Sequence, residues 1–154
     1  MALSTEKIIE ELGELIRYDR DAVGSYDEAI NDVKEPAVRD PLIEFRADHE
    51  RHIANLSGIV RQLHGQPPEK PDLKGVVRKV MTKAAGLGGV ELTLKAMRSN
   101  EEVLNKTYAH HLALDFPDDI KDVIRRNYED EQRHLAWVES ALRNRIWEGT
   151  PAQP

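Results

Sequence analysis

Apolar residues recur along the chain at alternating steps of three and four, the spacing of one face of an α-helix, and period-two alternation persists nowhere. Four long segments carry the pattern, at about residues 5–34, 41–64, 90–114 and 117–147. Ser4 or Thr5 can cap the first, and Glu6, Glu10 and Glu11 suit its positive end. Asp40 followed by Pro41 reads as the cap and first residue of the second, with Gly65 beyond its end. Pro117 opens the fourth segment. Between the second and third lies the turn-rich stretch QPPEKPD, then a weaker helical pattern at about 73–85, broken by Gly86, Gly88 and Gly89. This order predicts an all-α four-helix bundle over residues 1–148: two hairpins joined by a long crossover that contains a short extra helix. Residues 149–154 read as a frayed tail.

Composition narrows the picture. A chain of 154 residues fits one domain, and 40% hydrophobic residues are too many for a disordered chain. The net charge of −6 argues against a generic nucleic-acid binder. With no cysteine there are no disulfides, thiolate metal sites, iron–sulfur clusters or cysteine nucleophiles. No apolar run reaches the roughly 18 residues of a membrane span, and the N-terminal MALSTEKIIEELGEL lacks the core of a signal peptide. A cytoplasmic location is the default expectation.

The stripes that face inward are not wholly apolar. They run Leu12, Ile16, Asp19, Val23, Tyr26, Ile30, Val33; Leu42, Phe45, His49, His52, Leu56, Ile59, Leu63; Val90, Leu94, Met97, Glu101, Leu104, Tyr108, Leu112; and Ile120, Ile124, Asn127, Glu131, His134, Val138, Ala141. Each carries ionisable groups near its middle: Asp19, His49 with His52, Glu101, and Glu131 with His134. A shift of 82 residues lays Asp48-His49-Glu50-Arg51-His52 on Asp130-Glu131-Gln132-Arg133-His134, Tyr26 on Tyr108, and Asp19 on Glu101. Two such hairpins related by a pseudo-twofold axis bring the matching positions face to face. Glu131-x-x-His134 and His49-x-x-His52 each put two side chains one turn apart on one face, within reach of a shared ion. A buried carboxylate without a partner costs several kcal/mol, so the layer is either a metal site or a salt-bridged polar network that sets the packing.

These residues resemble the ferritin-like superfamily of carboxylate-bridged di-metal proteins, nearest to its short stand-alone bacterial members. That motif takes one carboxylate from each of two helices and a Glu-x-x-His from each of the others. The resemblance implies metal ligation by Asp19, His49, His52, Glu101, Glu131 and His134, with His49 standing where the family has a bridging glutamate. It implies that Asp48 and Asp130 accept the histidines' second N–H and that Tyr26 and Tyr108, each seven residues after a carboxylate, serve a redox or pocket role. The implied cofactor is a pair of iron ions, with manganese or zinc as alternatives and neither haem nor flavin. The implied activity is ferroxidase- or peroxidase-like, with dioxygen or peroxide as the oxidant. A monomer or homodimer is expected rather than a cage, with no membrane or nucleic-acid partner. The rival reading is a non-enzymatic, stress-associated or partner-binding bundle.

Other polar residues read as ordinary. His110 and His111, near the end of the third segment, suit the helix dipole and are expected to be solvated, as is His64. Arg125, Arg126 and the basic residues of 70–83 form a solvated face, and Trp137 and Trp147 are core or dimer contacts.

Overall fold

The computed structural model describes residues 2–71 and 89–149. Its helices are α1 (Thr5–Asp32), α2 (Pro36–Gln62), α3 (Gly89–Leu112) and α4 (Asp118–Asn144), followed by a 3-10 turn at Ile146–Glu148. The expected short helix at 73–85 and the tail beyond 149 lie outside the described residues. Helices α1 and α2 form one hairpin and α3 and α4 the other; α1 packs on α3 and α2 on α4. No strand occurs among the described residues, and no helix there is long and apolar enough to cross a membrane.

Local chemistry sets the helix ends. Ser4 Oγ accepts the Lys7 N–H at 3.1 Å, which satisfies one of the free donors of α1. Asp118 and Asp119 sit in the first turn of α4, where the dipole favours negative charge. Helix α2 begins one turn earlier than the Asp40–Pro41 signal suggests. Glu35 is its cap, Pro36 takes the first helical position, and Pro41 lies inside the helix. Pro41 has no N–H to give the Ala37 carbonyl, a local loss that the extra turn offsets by burying Val38 completely. The helix ends in paired bonds, His64 N–H to Arg61 O at 3.0 Å and Gly65 N–H to Val60 O at 2.9 Å. His64 holds the left-handed conformation there, φ 64°, that a glycine usually takes. Gly65 is needed for a different reason: a Cβ on it would stand 2.9 Å from Ile9 Cγ2. The crossover therefore starts flush against α1, and the Pro68 carbonyl then accepts Arg20 Nε at 2.8 Å.

Among the described residues two large apolar clusters fill the bundle, and Ala22 and Leu104 form a small third. One gathers Tyr26, Val38, Leu42, Phe45, Leu94, Met97 and Val138, with Trp137 and Trp147 packed at its edge. The other gathers Leu12, Ile16, Leu56, Val60, Tyr108 and Ile124. The predicted stripes hold with small rotations: Ala22 and Val60 are buried, whereas Val23 and Ile59 are half-buried. Between the two clusters lies a layer that is polar and yet fully enclosed.

Replacing Leu12, which has no exposure, by alanine is expected to cost about 2–5 kcal/mol in urea denaturation. The same change at Ile43, 41% exposed on α2, is expected to stay within about 0.5 kcal/mol.

Candidate metal centre

The enclosed layer contains Asp19 from α1, His49 and His52 from α2, Glu101 from α3, and Glu131 and His134 from α4, each 0% exposed. The i, i+3 spacing on α2 and α4 aims two side chains from each helix at the bundle axis. Their atoms form two overlapping groups. Asp19, His49, His52 and Glu131 each offer a donor atom within 4.8 Å of the others, and so do His49, Glu101, Glu131 and His134. His49 and Glu131, the one pair of layer residues under the 82-residue shift that sets imidazole against carboxylate, belong to both groups.

His49 Nδ1 lies 2.8 Å from Asp19 Oδ1 and 3.4 Å from Glu131 Oε1, and its Nε2 lies 3.5 Å from Glu101 Oε1. His52 Nδ1 lies 3.2 Å from both Asp19 Oδ1 and Glu131 Oε1. His134 Nδ1 lies 3.6 Å from Glu101 Oε1 and from Glu131 Oε2. The outer ring nitrogens are held by the opposite hairpin. His52 Nε2–H donates to Asp130 Oδ2 at 2.9 Å, and His134 Nε2–H donates to Asp48 Oδ2 at 2.8 Å. A carboxylate only accepts, so these bonds turn each Nδ1 inward. Arg51 and Arg133 complete a ring outside the layer, each paired with both Asp48 and Asp130.

The tyrosines cross between α1 and α3. Tyr26 donates its hydroxyl to Glu101 Oε1, and Tyr108 donates to Asp19 Oδ2 at 2.5 Å. These bonds show that α1 and α3 run antiparallel, since the residue number rises on one as it falls on the other. Asn105 Nδ2 donates to the backbone carbonyls of Glu101 and Glu131, at 2.8 and 3.0 Å, and ties α3 to α4 beside the layer. Next to it Asn55 and Asn127 exchange amide hydrogen bonds of 3.0 and 3.1 Å.

The layer is not satisfied by these bonds. His49 Nε2, Glu101 Oε2, both Glu131 carboxylate oxygens and His134 Nδ1 are buried without a hydrogen-bond partner. Such orphaned atoms are uncommon, because each carries its full desolvation cost. Nitrogen and oxygen donors converging at 3.2–3.6 Å without hydrogen bonds have the separations of atoms around a common cation. The residues present therefore fit a metal centre of imidazole and carboxylate donors.

Electrostatics bind the layer into one unit. Burial disfavours charge on His49, but Glu131, Asp19 and Glu101 outweigh it and raise its pKa to about 9. The same contest raises His52 to about 12, through Asp19 and Asp130, and His134 to about 11, through Asp48 and Glu101. Burial pushes Asp19 and Glu101 up, and the facing histidines more than reverse it, so both stay below the usual carboxylate range. Asp48 is held low by His134, Arg133 and Arg51 against its partial burial, and Asp130 falls to about 2 by its bonds to His52 and Arg133. Tyr26 and Tyr108 are pushed well above the ordinary phenol value by burial and then by Glu101 and Asp19 respectively, so both hydroxyls keep their protons and donate.

The structure thus brings together all eight predicted ligand and outer residues and both tyrosines. It corrects the expectation for His111, which is 1% exposed and not solvated, while His110 is exposed. Asn55 and Asn105 carried no sequence signal, since the partners through which they tie helices together, Asn127 and the Glu131 carbonyl, lie on α4.

A family model described as "Domain of unknown function (DUF2383)" matches residues 7–113. No curated protein matches the chain. Among solved structures, the chain is similar to a two-domain protein from Anabaena variabilis with DJ-1/ThiJ/PfpI-like and ferritin-like domains. The TM-score is 0.78 at 12% identity, over 99% of this chain and 41% of that one. The chain spans about two fifths of that protein's length. It is also similar to a ferritin-like, diiron-carboxylate protein from Bacillus anthracis str. Ames, with a TM-score of 0.71 at 18% identity over 92% of this chain and 99% of that one. The fold is that of a ferritin-like four-helix bundle.

Tyr108→Phe removes the hydroxyl on Asp19 and almost no volume. It is expected to cost about 1.5–3 kcal/mol in urea denaturation of chelator-treated protein, the range for a hydrogen bond to a buried charge.

Proposed function

The chain belongs to the DUF2383 family, and for this member of it we propose a ferritin-like metal-binding protein whose core holds two iron ions and handles iron or peroxide. The observation that carries the reading is the pair of overlapping donor groups whose atoms are buried and unpartnered in the same small volume. Asp19, His52 and Glu131 would serve one ion, Glu101, His134 and Glu131 the other, with His49 between them. Manganese or zinc suits the same nitrogen and oxygen donors. A ferrous pair, when bound, supplies electrons to dioxygen or peroxide.

The chain's own residues prepare that chemistry. Asp48 and Asp130 hold the Nε2 protons of His134 and His52 and keep their Nδ1 atoms inward. Tyr26 and Tyr108 fix one oxygen each of Glu101 and Asp19, leaving the second oxygen or the far side of the group for an ion. The apolar clusters on both sides exclude water, which strengthens every interaction between them. A tyrosine hydroxyl against a ligand carboxylate also stands where it can exchange a proton or an electron with the centre.

One observation favours the second reading, a bundle whose polar layer only sets its packing. His49 replaces a carboxylate, so three imidazoles face three carboxylates, and their raised pKa values let protons balance the charge without metal.

Elemental analysis after anaerobic Fe(II) loading separates the two. About two ions per chain are expected on the wild type, and none in the core of a Glu131→Ala/His134→Ala variant. Metal at a hundredfold excess over its Kd should raise the melting temperature by roughly 5–10 °C, a gain that His52→Ala abolishes. Absence of core metal in the loaded wild type would leave the packing layer as the function of these residues.

A further inference from the structure

A second set of donors lies away from the core, between the N-terminal half of α1 and the C-terminal end of α3. Glu11 and Glu14 stand one turn apart on α1, and His111 faces them from α3. The three share no residue with either core group, and Glu11 is eight residues from Asp19, about 12 Å along the helix.

The tautomer of His111 is set by its neighbours. Its Nδ1 lies 2.8 Å from the Thr107 backbone carbonyl, which can only accept, so Nδ1 carries the proton. In the neutral ring the lone pair is then on Nε2, on a side chain that is 1% exposed. This atom lies 3.0 Å from Glu11 Oε2 and 3.5 Å from Glu14 Oε2, and makes a hydrogen bond to neither. Three electron-rich atoms therefore converge, one of them buried and unpartnered. Metal bonds of about 2.1 Å place two ligand atoms of one ion about 3.0 Å apart in octahedral and about 3.4 Å apart in tetrahedral geometry. The observed separations match without rearrangement. Lys7 Nζ takes the other oxygen of Glu11, at 3.1 Å, and leaves Oε2 free. Glu14 is 45% exposed, so water can reach the remaining coordination positions.

We propose that Glu11, Glu14 and His111 form a second, single-ion site for a divalent transition-metal cation, with one imidazole and two carboxylates as ligands and an open side to solvent. The backbone bond from Nδ1–H orients the ring, as an outer partner does for a metal-bound histidine. Zinc is the natural probe, since it takes nitrogen and oxygen donors in this number and keeps a solvent position at open sites.

The test is equilibrium dialysis of the full chain against Zn2+ with metal counted per chain, on the wild type, His111→Gln, Glu14→Gln and Glu131→Gln. Imidazole nitrogen resonances are followed in parallel. The expected result is one zinc fewer per chain, or at least tenfold weaker binding of one zinc, in both His111→Gln and Glu14→Gln. Glu131→Gln should keep this ion whatever happens in the core, so failure of the core and failure of this site are distinguishable. His111 Nε2 should shift on addition of zinc to the wild type. Glu14 is half exposed, so Glu14→Gln keeps the fold even if His111→Gln does not, and a thermal melt confirms it. Equal zinc in the wild type and Glu14→Gln, or a His111 ring protonated on both nitrogens and unmoved by zinc, would overturn the proposal in favour of an ion-paired imidazolium.

Discussion

Three carboxylates and three imidazoles with no access to water must neutralise one another or hold cations, and the rest of the bundle is arranged around that requirement. A lone buried carboxylate costs several kcal/mol, a large share of the stability of a domain this size. The apolar clusters above and below supply the stabilisation that keeps the layer buried. The tyrosines extend from those clusters, so each hydroxyl reaches the layer from an apolar base. On the α2–α4 side the Asp48–Arg51–Asp130–Arg133 ring carries the charge to the surface in steps. A metal ion would have to displace protons from the same inward nitrogens, so the charge balance of the metal-free layer would set its affinity for metal.

The ring and the tyrosines obey a pseudo-twofold relation that the layer itself breaks at one place. Asp48 serves His134 and Asp130 serves His52, so each hairpin orients the other's histidine and neither layout works alone. The same reciprocity joins Tyr26 to Glu101 and Tyr108 to Asp19. His49 opposite Glu131 is the exception. A carboxylate at that position would add a fourth negative charge. The imidazole instead presents one nitrogen to Asp19 and the other towards Glu101. The layer is thus less negative than one with a fourth carboxylate at that position.

How much of this was legible depends on whether a signal is local. The four helices were, because the three-and-four periodicity is a property of each segment. The six layer residues were, because they interrupt those stripes at matching heights. The start of α2 was misplaced because Asp40–Pro41 and Glu35–Pro36 are both valid openings, and only the burial of Val38 decides between them. The exchange of Asp48 and Asp130 between hairpins was hidden for a related reason: the sequence shows each aspartate one turn before a histidine of its own helix, and packing assigns it to the other. His111 was misjudged because its position near a helix end suggested solvent. Its spacing of three from Tyr108 placed it on the inward edge of the same face, but the carboxylates it meets come from another helix.

One device recurs at both donor clusters. A histidine gives one ring proton to a fixed acceptor, and the opposite nitrogen is thereby aimed at carboxylates: Asp130 and Asp48 do this in the core, and the Thr107 carbonyl does it for His111. The clusters differ in what surrounds them. The His111 cluster borders solvent at Glu14, which is half exposed. To reach the core from the α2–α4 side, an ion must part the arginine–aspartate ring, and on the α1–α3 side Ala22 and Leu104 close the layer. Donor sets of similar type on one chain would therefore exchange a bound ion at different rates, faster at the periphery and slower in the interior. The difference follows from burial alone and needs no difference in ligand chemistry.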